Sequence, residues 1–446
     1  MTRGARQLLI DASASHAHSW GQTLLRSLLS LSERRLFVEL FFTALLPRLL
    51  LVAVIPHDDV HLGELNNVAV SLAEQGYLGN PYGFQTGPSA HIAPGYAAIV
   101  ALLIRVGESQ HAGFLLARIL TAVVAAGLVA ALPVIAPRLG LSRRAGLLAS
   151  LALLLPFFTW LETSGDWEAP YTAAWLAAAL SVSWPSLSGG RLVARAGVRV
   201  GVVWGIALLF SPALLPVLVA LHAIGILRWR PRLRSYVAYA TTAAVVTLLV
   251  VAPYLVRIQR ELGGFAFIRS NLGLELAVSN NDHATPTLTT NLKRGGGMDT
   301  HPYLNEPESM RVRAMGELAY NRARMAEAKA WIFTHPVAFT KLALSRVGLF
   351  WVPRSIRLYQ TAIFAIALMG ALVYLLRLWP QSPYEALMFA SVSVSYSVIY
   401  TLVQTDPRYT YPLLWLHMLL CAQLLSRSRL LAGAEELADP NAGALG

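Results

Sequence analysis

The sequence is short of charge. Of its 446 residues only 13% are Asp, Glu, Lys or Arg, while 55% are apolar; a soluble domain of ordinary composition carries about 25% charged residues. A chain so poor in charge cannot cover its apolar side chains with a solvated surface, so an ordinary globular domain is excluded and lipid must supply much of the solvent. Cysteine is nearly missing too. The single one, Cys421, lies in the last apolar run, so neither a disulfide framework nor a thiolate metal site can be assembled. It is expected to be a small apolar residue of a helix. No small-residue cleavage site follows the first apolar run, which is therefore expected to be a retained span and not a signal peptide. No soluble-domain boundary and no clear internal repeat breaks the pattern.

What the sequence does have is a recurrence of apolar runs near membrane-spanning length, at 41–55, 112–136, 146–160, 236–256, 362–376 and 413–425. A span takes roughly 20 predominantly apolar residues. Arg48 and Arg118 lie inside two of the runs and should face the bundle interior or snorkel to an interface. The net charge of +12 does not signal nucleic acid. Arginines such as Arg228, Arg230, Arg232 and Arg234 cluster beside the runs, as the positive-inside rule describes.

That rule orders the spans. Residues 1–35 form a cytoplasmic tail, and a first span at about 36–56 leads to a loop bearing Asp58, Asp59, Glu64 and Glu74 with no Lys or Arg before residue 92, a non-cytoplasmic signature. The arginine-rich loop 137–144 should be cytoplasmic, which requires one crossing between them. The run 92–106 is short, has Pro88 and Pro94 about its start and holds Arg105, so it is expected to lie in the interface while 112–136 crosses. The run 146–161 then leads out to a second acidic loop with Glu162, Asp166 and Glu168, and 171–184 returns. The run 200–227 is a hairpin of two helices turning at Ser211-Pro212, and 236–256 leads out to the largest polar segment. There, 306–334 has helical spacing, and 339–351, interrupted by Lys341 and Arg346, is a second interfacial helix. Spans near 359–377, 384–403 and 409–425 complete the chain. The fold expected is an all-α polytopic membrane protein of about 10–12 transmembrane helices. It forms a single transmembrane domain, 1–446, with a first outer loop and interfacial helix at 57–107 and a large outer loop at 258–352.

Three polar features converge on the outer face: Asp58 and Asp59, the cluster Glu162, Asp166 and Glu168, and the large loop. Ionisable groups at span ends that face a cavity are functional candidates. Adjacent carboxylates point different ways, so one of Asp58 and Asp59 can take a substrate hydroxyl or a metal while the other caps a helix. Glu168 and Asp166 precede Pro170, which is placed to open a helix. Three histidines of the large loop, His283, His301 and His335, are scattered and show no zinc-ligand spacing. Tyr254, Phe265 and Phe267 are expected as interfacial anchors.

More distinctive is the stretch from Leu72 to Gly83, followed by Thr86 to Tyr96: a helix ending at Gly76, turn residues, then His91 before Pro94. With the acidic pair before it, this block resembles the polytopic glycosyltransferases that use a polyprenyl-phosphate sugar. That group, the GT-C class, includes the aminoarabinose transferases of lipid A and the protein O-mannosyltransferases. The likeness extends to the second acidic loop, to Asn271–Leu276 with the Asn280-Asn281 pair, and to the segment Asp406–Pro412. The resemblance implies that Asp58 or Asp59 is the first-loop general base or metal ligand, with Glu64 able to take the same place. It implies that His91 contacts phosphate, although one proline stands here where the family has two. It also implies a GT-C-like architecture, a polyprenyl-phosphate sugar donor and an active site on the periplasmic or extracellular side.

The chemistry is reasonable on its own terms. A lipid phosphate is a good leaving group and needs little protonation, so one carboxylate near the acceptor hydroxyl serves as base and cations serve where phosphate charge develops. Candidates on the outer face are His91, Arg269, Lys293, Arg294 and Arg408, the last suited by its planar fork and followed by Tyr409. Mg²⁺ or Mn²⁺ would suit a carboxylate–oxygen site, although no ligand spacing demands one. A transporter or flippase would place polar groups at mid-membrane on repeated broken helices, and an assembly protein would tolerate neutral acidic loops. The concentration of acids in outer loops favours a transferase.

Overall fold

The computed structural model describes residues 23, 25–55, 63–155, 168–190, 192–294, 298–303, 305–354 and 358–426. Asp58, Asp59, Glu162 and Asp166 lie outside them. The regular structure of the described residues is helical, with only isolated bridges for strand pairing. The helices are α1 (Glu33–Val54), α2 (Glu64–Gln75), α3 (Pro94–Val106), α4 (Gln110–Arg138), α5 (Arg143–Leu153), α6 (Ala169–Leu187), α7 (Ala194–Phe210), α8 (Leu215–Arg228) and α9 (Leu233–Leu262). After them come the outer-loop helices α10 (Leu272–Ser279), α11 (Leu288–Arg294), α12 (Glu306–Met315), α13 (Glu317–Thr334) and α14 (Pro336–Trp351). The chain closes with α15 (Leu358–Leu378), α16 (Pro383–Leu402) and α17 (Pro407–Ser426).

The first helix shows how the sequence sorts itself between lipid and protein. Leu36, Leu40, Ala44, Arg48 and Val52 recur every four residues and are buried, while Val38, Phe42, Leu46, Leu50 and Val54 recur at the same interval and are exposed. Residues four apart share a helix face, so one stripe packs and the other is apolar yet uncovered. Arg48 lies in the packed stripe, fully buried, and donates to the carbonyl of Ala44 at 2.8 Å, the interior position expected of it.

Among the described residues, five helices are long and apolar enough to cross a membrane: α1, α4, α9 with the turn before it, α15 and α16. The other expected crossings fall on α5, α6, α7, α8 and α17, which form but are shorter or less apolar. Helix α3, 13 residues long, reaches only about 20 Å, too short for a hydrocarbon core of about 30 Å. It suits the interface, opened by Pro94 at its first turn.

The run 200–227 divides at Ser211-Pro212 into two helices as expected, but α8 lies against α16 and not against α7. Helix α7 carries Gly197, Gly201 and Gly205, and a Cβ at these positions would meet, in turn, Tyr239 O at 2.7 Å, Ala243 O at 2.5 Å and Val250 Cβ at 2.6 Å. The partner positions on α9 rise with those on α7, so the two helices run parallel with their backbones nearly touching, the close approach that small residues allow. Parallel neighbours require the chain to reverse between them. It does so through the break at Ser211 and the short return helix α8. At the centre lies α17, buried without interruption from Thr410 to Leu420.

Candidate functional site

Four chain segments meet at one end of the bundle. The first loop is tied to the large loop by Glu317, which is buried at the start of α13. Its carboxylate accepts from the Ala90 amide at 2.7 Å, from the Ser270 hydroxyl at 2.6 Å and from the Ser89 hydroxyl. Arg257, near the end of α9, donates to the carbonyls of Ser89 at 2.6 Å and Leu78 at 2.5 Å. The turn before α17 joins the large loop as well: Thr405 donates to Pro286 O at 2.8 Å and accepts from Leu288 at 3.0 Å, while the Asn291 amide donates to Gln404 at 2.6 Å. The start of α6 completes the rim.

Between these segments lies an open cleft of about 810 Å³. Its polar lining comprises three carboxylates (Glu64, Glu168 and Glu275), two guanidiniums (Arg269 and Arg408) and three phenols (Tyr396, Tyr400 and Tyr409). Of the residues expected from sequence, Glu64, Glu168, Arg269, Arg408 and Tyr409 are thus brought together from four helices or loops. Glu168 holds the N-cap position of α6 but its side chain caps nothing. Arg269 donates its Nε to the carbonyl of His91 at 2.8 Å. Arg408 lies over the Tyr409 ring, 5.1 Å from its centroid, and Tyr409, Tyr400 and Phe350 stack in succession at 4.6 and 5.6 Å. A column of stacked rings thus ends in a guanidinium.

His91 does not line the cleft. Its ring is fully buried behind Glu64, with Nε2 3.0 Å from Glu64 Oε1 and Nδ1 3.1 Å from the Tyr82 hydroxyl. His301 approaches the same Oε1 with its own Nε2, at 3.5 Å. Burial alone would raise the Glu64 pKa, but the attraction of His91 and His301 and the charge of Arg269 outweigh it. They hold the carboxyl at about 2. For His91, burial works against the charged form and Glu64 outweighs it, so its pKa is raised. For His301, burial prevails and the pKa is lowered. Burial, with Glu317 and Glu64, pushes the Tyr82 phenol up, so it stays a hydroxyl.

Three residues of the cleft were left unassigned by sequence: Glu275, Tyr396 and Tyr400. Glu275 sat within a segment already noted, and its place on α10 turns it into the cleft. Tyr396 and Tyr400 are hidden in sequence because they look like any aromatics of an apolar run. Among the described residues no group of three His, Cys, Asp or Glu is arranged to hold a metal ion. On the far side of α10, a second cavity of about 710 Å³ is bordered by Asp282, Asp299, Arg324, Glu327 and Trp331.

No protein-family model and no curated protein sequence matches this chain. Among solved structures, the fold is similar to that of the archaeal oligosaccharyltransferase AglB from Archaeoglobus fulgidus, determined in complex with an inhibitory peptide and a dolichol-phosphate. The TM-score is 0.55, the identity 14%, and the match covers 88% of this chain and 50% of that one. The chain thus spans about half the length of that enzyme. At this identity the likeness is one of fold: the all-α polytopic architecture expected from the apolar runs is shared with a membrane glycosyltransferase.

Proposed function

We propose that the protein is a membrane glycosyltransferase that takes a sugar from a polyprenyl-phosphate donor and places it on an acceptor at the non-cytoplasmic face. The observation that carries this reading is the cleft itself. Two guanidiniums, three carboxylates and three phenols share one opening at a single end of an apolar bundle, in a fold shared with an enzyme whose structure holds a dolichol-phosphate. Arg269 and Arg408 suit the two ends of a phosphate, since guanidinium N–H groups match phosphate oxygens. Carboxylates and tyrosine hydroxyls suit sugar and acceptor hydroxyls. The acidic rim and the arginines of loops at the other end are what an outward-facing cleft requires.

In the proposed reaction an acceptor hydroxyl attacks the anomeric carbon. The bond from that carbon to the phosphate oxygen breaks, and the lipid phosphate departs with the bonding pair. The acceptor proton passes to a first-loop carboxylate, Asp58 or Asp59. With one base and no covalent nucleophile, the displacement inverts the anomeric centre. The test is turnover of purified protein in lipid nanodiscs with a panel of synthetic polyprenyl-phosphate hexoses and pentoses and a membrane extract as acceptor source. Sugar transfer that is lost in Arg408→Ala and in Asp58→Asn/Asp59→Asn supports the proposal. No transfer or hydrolysis from any donor, by protein shown to be folded, would overturn it.

A further inference from the structure

Glu64 is not placed like a proton acceptor. Its Oε1 is buried between two imidazole rings, yet the side chain as a whole remains 24% exposed and lines the cleft. Oε2 is therefore the oxygen on the open side. The rings behind it are themselves fixed. The Tyr303 amide donates to His301 Nδ1 at 3.2 Å. That nitrogen must be an acceptor, so a neutral His301 carries its proton on Nε2, its nitrogen nearer Glu64. His91 has Tyr82 at Nδ1 and Glu64 at Nε2. The three rings pack edge to face, with centroids 5.1 Å apart for Tyr82 and His91, 6.0 Å for Tyr82 and His301, and 6.3 Å for His91 and His301, so none can turn alone. Glu64 also opens α2, where the helix dipole favours a negative group.

We infer that His91, His301 and Tyr82 are positioning residues that clamp one oxygen of Glu64 and turn the other, as a fixed anion, toward the sugar in the cleft. This rests on the transferase reading. In such a transfer the breaking bond leaves positive charge on the anomeric carbon and ring oxygen before the new bond forms. A preorganised anion facing that charge lowers the barrier without reorganising. Glu64 accepts no proton in this step, because the acceptor proton goes to the first-loop aspartate. The clamp joins residues from α2, the first loop and the large loop, which gives the His301 segment a role that its sequence does not announce.

The experiment compares wild type with His301→Leu and His301→Gln, Gln retaining an N–H donor near the position of Nε2. In ¹³C-glutamate-labelled protein, the infrared carboxyl band of Glu64 is isolated by difference against Glu64→Gln. Besides His91 and His301, the charged groups that face Glu64 are Arg269 and, farther off, Glu275. The inference expects no protonated band in wild type or His301→Gln at mildly acid pH, and a band in His301→Leu. A band already present in wild type near pH 6, or no difference between Leu and Gln, overturns the clamp. With a lipid-phosphate sugar as substrate, kcat should fall about tenfold in His301→Leu at nearly unchanged KM and recover in His301→Gln. Equal losses in both variants, or a change confined to KM, contradict the positioning role. If wild type transfers no sugar from any donor, the transferase reading fails, while the infrared comparison still decides the clamp.

Discussion

Glu64 and His91 stabilise each other through opposite protonation behaviour, and the window in which they do so follows from the signs. The folded pKa of Glu64 is lowered from 4.5 to about 2, so its contribution is complete above about 4.5 and is lost as the pH falls toward 2. That contribution is on the order of 3 kcal/mol. The folded pKa of His91 is raised above 6.5, so its contribution is complete below 6.5 and fades as the pH climbs through the raised value. The two describe one interaction, which is fullest between about pH 4.5 and 6.5. The thermal midpoint of the wild type in detergent, minus that of Glu64→Gln, should therefore peak in this interval and decline on the alkaline side. In a His91→Gln background the alkaline decline should disappear. A difference that is flat with pH would mean that the pair does not titrate in the folded protein. Glu64 was visible in the sequence as one acid of a loop without basic residues. Its partners were not. His91 is 27 positions away, and nothing in the local pattern separates buried His301 from exposed His283 and His335. Burial of a loop histidine depends on what the rest of the loop packs against.

At the scale of elements, two contacts bear most of the architecture around the cleft. Glu317 accepts three hydrogen bonds while buried. Glu317→Ala leaves a backbone amide and two hydroxyls without their acceptor, a cost of about 3 kcal/mol. Hydrogen exchange should then show loosening localised to 78–93 and 265–275 while the spans stay protected; uniform loosening would refute a local clamp. The α7–α9 contact is tested by Gly201→Val, because a Cβ there would meet Ala243 O at 2.5 Å. Overpacking of this kind costs about 1–3 kcal/mol, whereas Gly127→Ala, with open space at its Cβ inside α4, should leave the melting temperature unchanged or raise it slightly. Equal effects of the two substitutions would contradict the packing described. Most elements were legible because helix signals are local. The end of α2 at Gly76, with φ of 82°, and the start of α3 at Pro94 both follow from single residues. The break between α12 and α13 at Gly316, with φ of 80°, falls inside a stretch whose helical spacing looked continuous, since spacing alone does not register a change of direction.

For the molecule as a whole, a polar cleft at one end of an apolar bundle is assembled by loops from distant parts of the chain. Charge distribution along the sequence was enough to bring Glu64, Glu168, Arg269, Arg408 and Tyr409 to one face, because sidedness in a membrane protein is set by loop composition. It was not enough to show which groups touch, since contacts among loops are settled by side-chain packing that no periodicity encodes. The central claim is that this cleft holds a lipid phosphate through Arg269 and Arg408. Native mass spectrometry of the purified protein supplemented with polyprenyl phosphate tests it most directly. The account predicts one bound lipid per chain in the wild type and a loss of binding of about tenfold or more in Arg269→Ala/Arg408→Ala. Equal retention of the lipid by both proteins, or no binding by either, would contradict it.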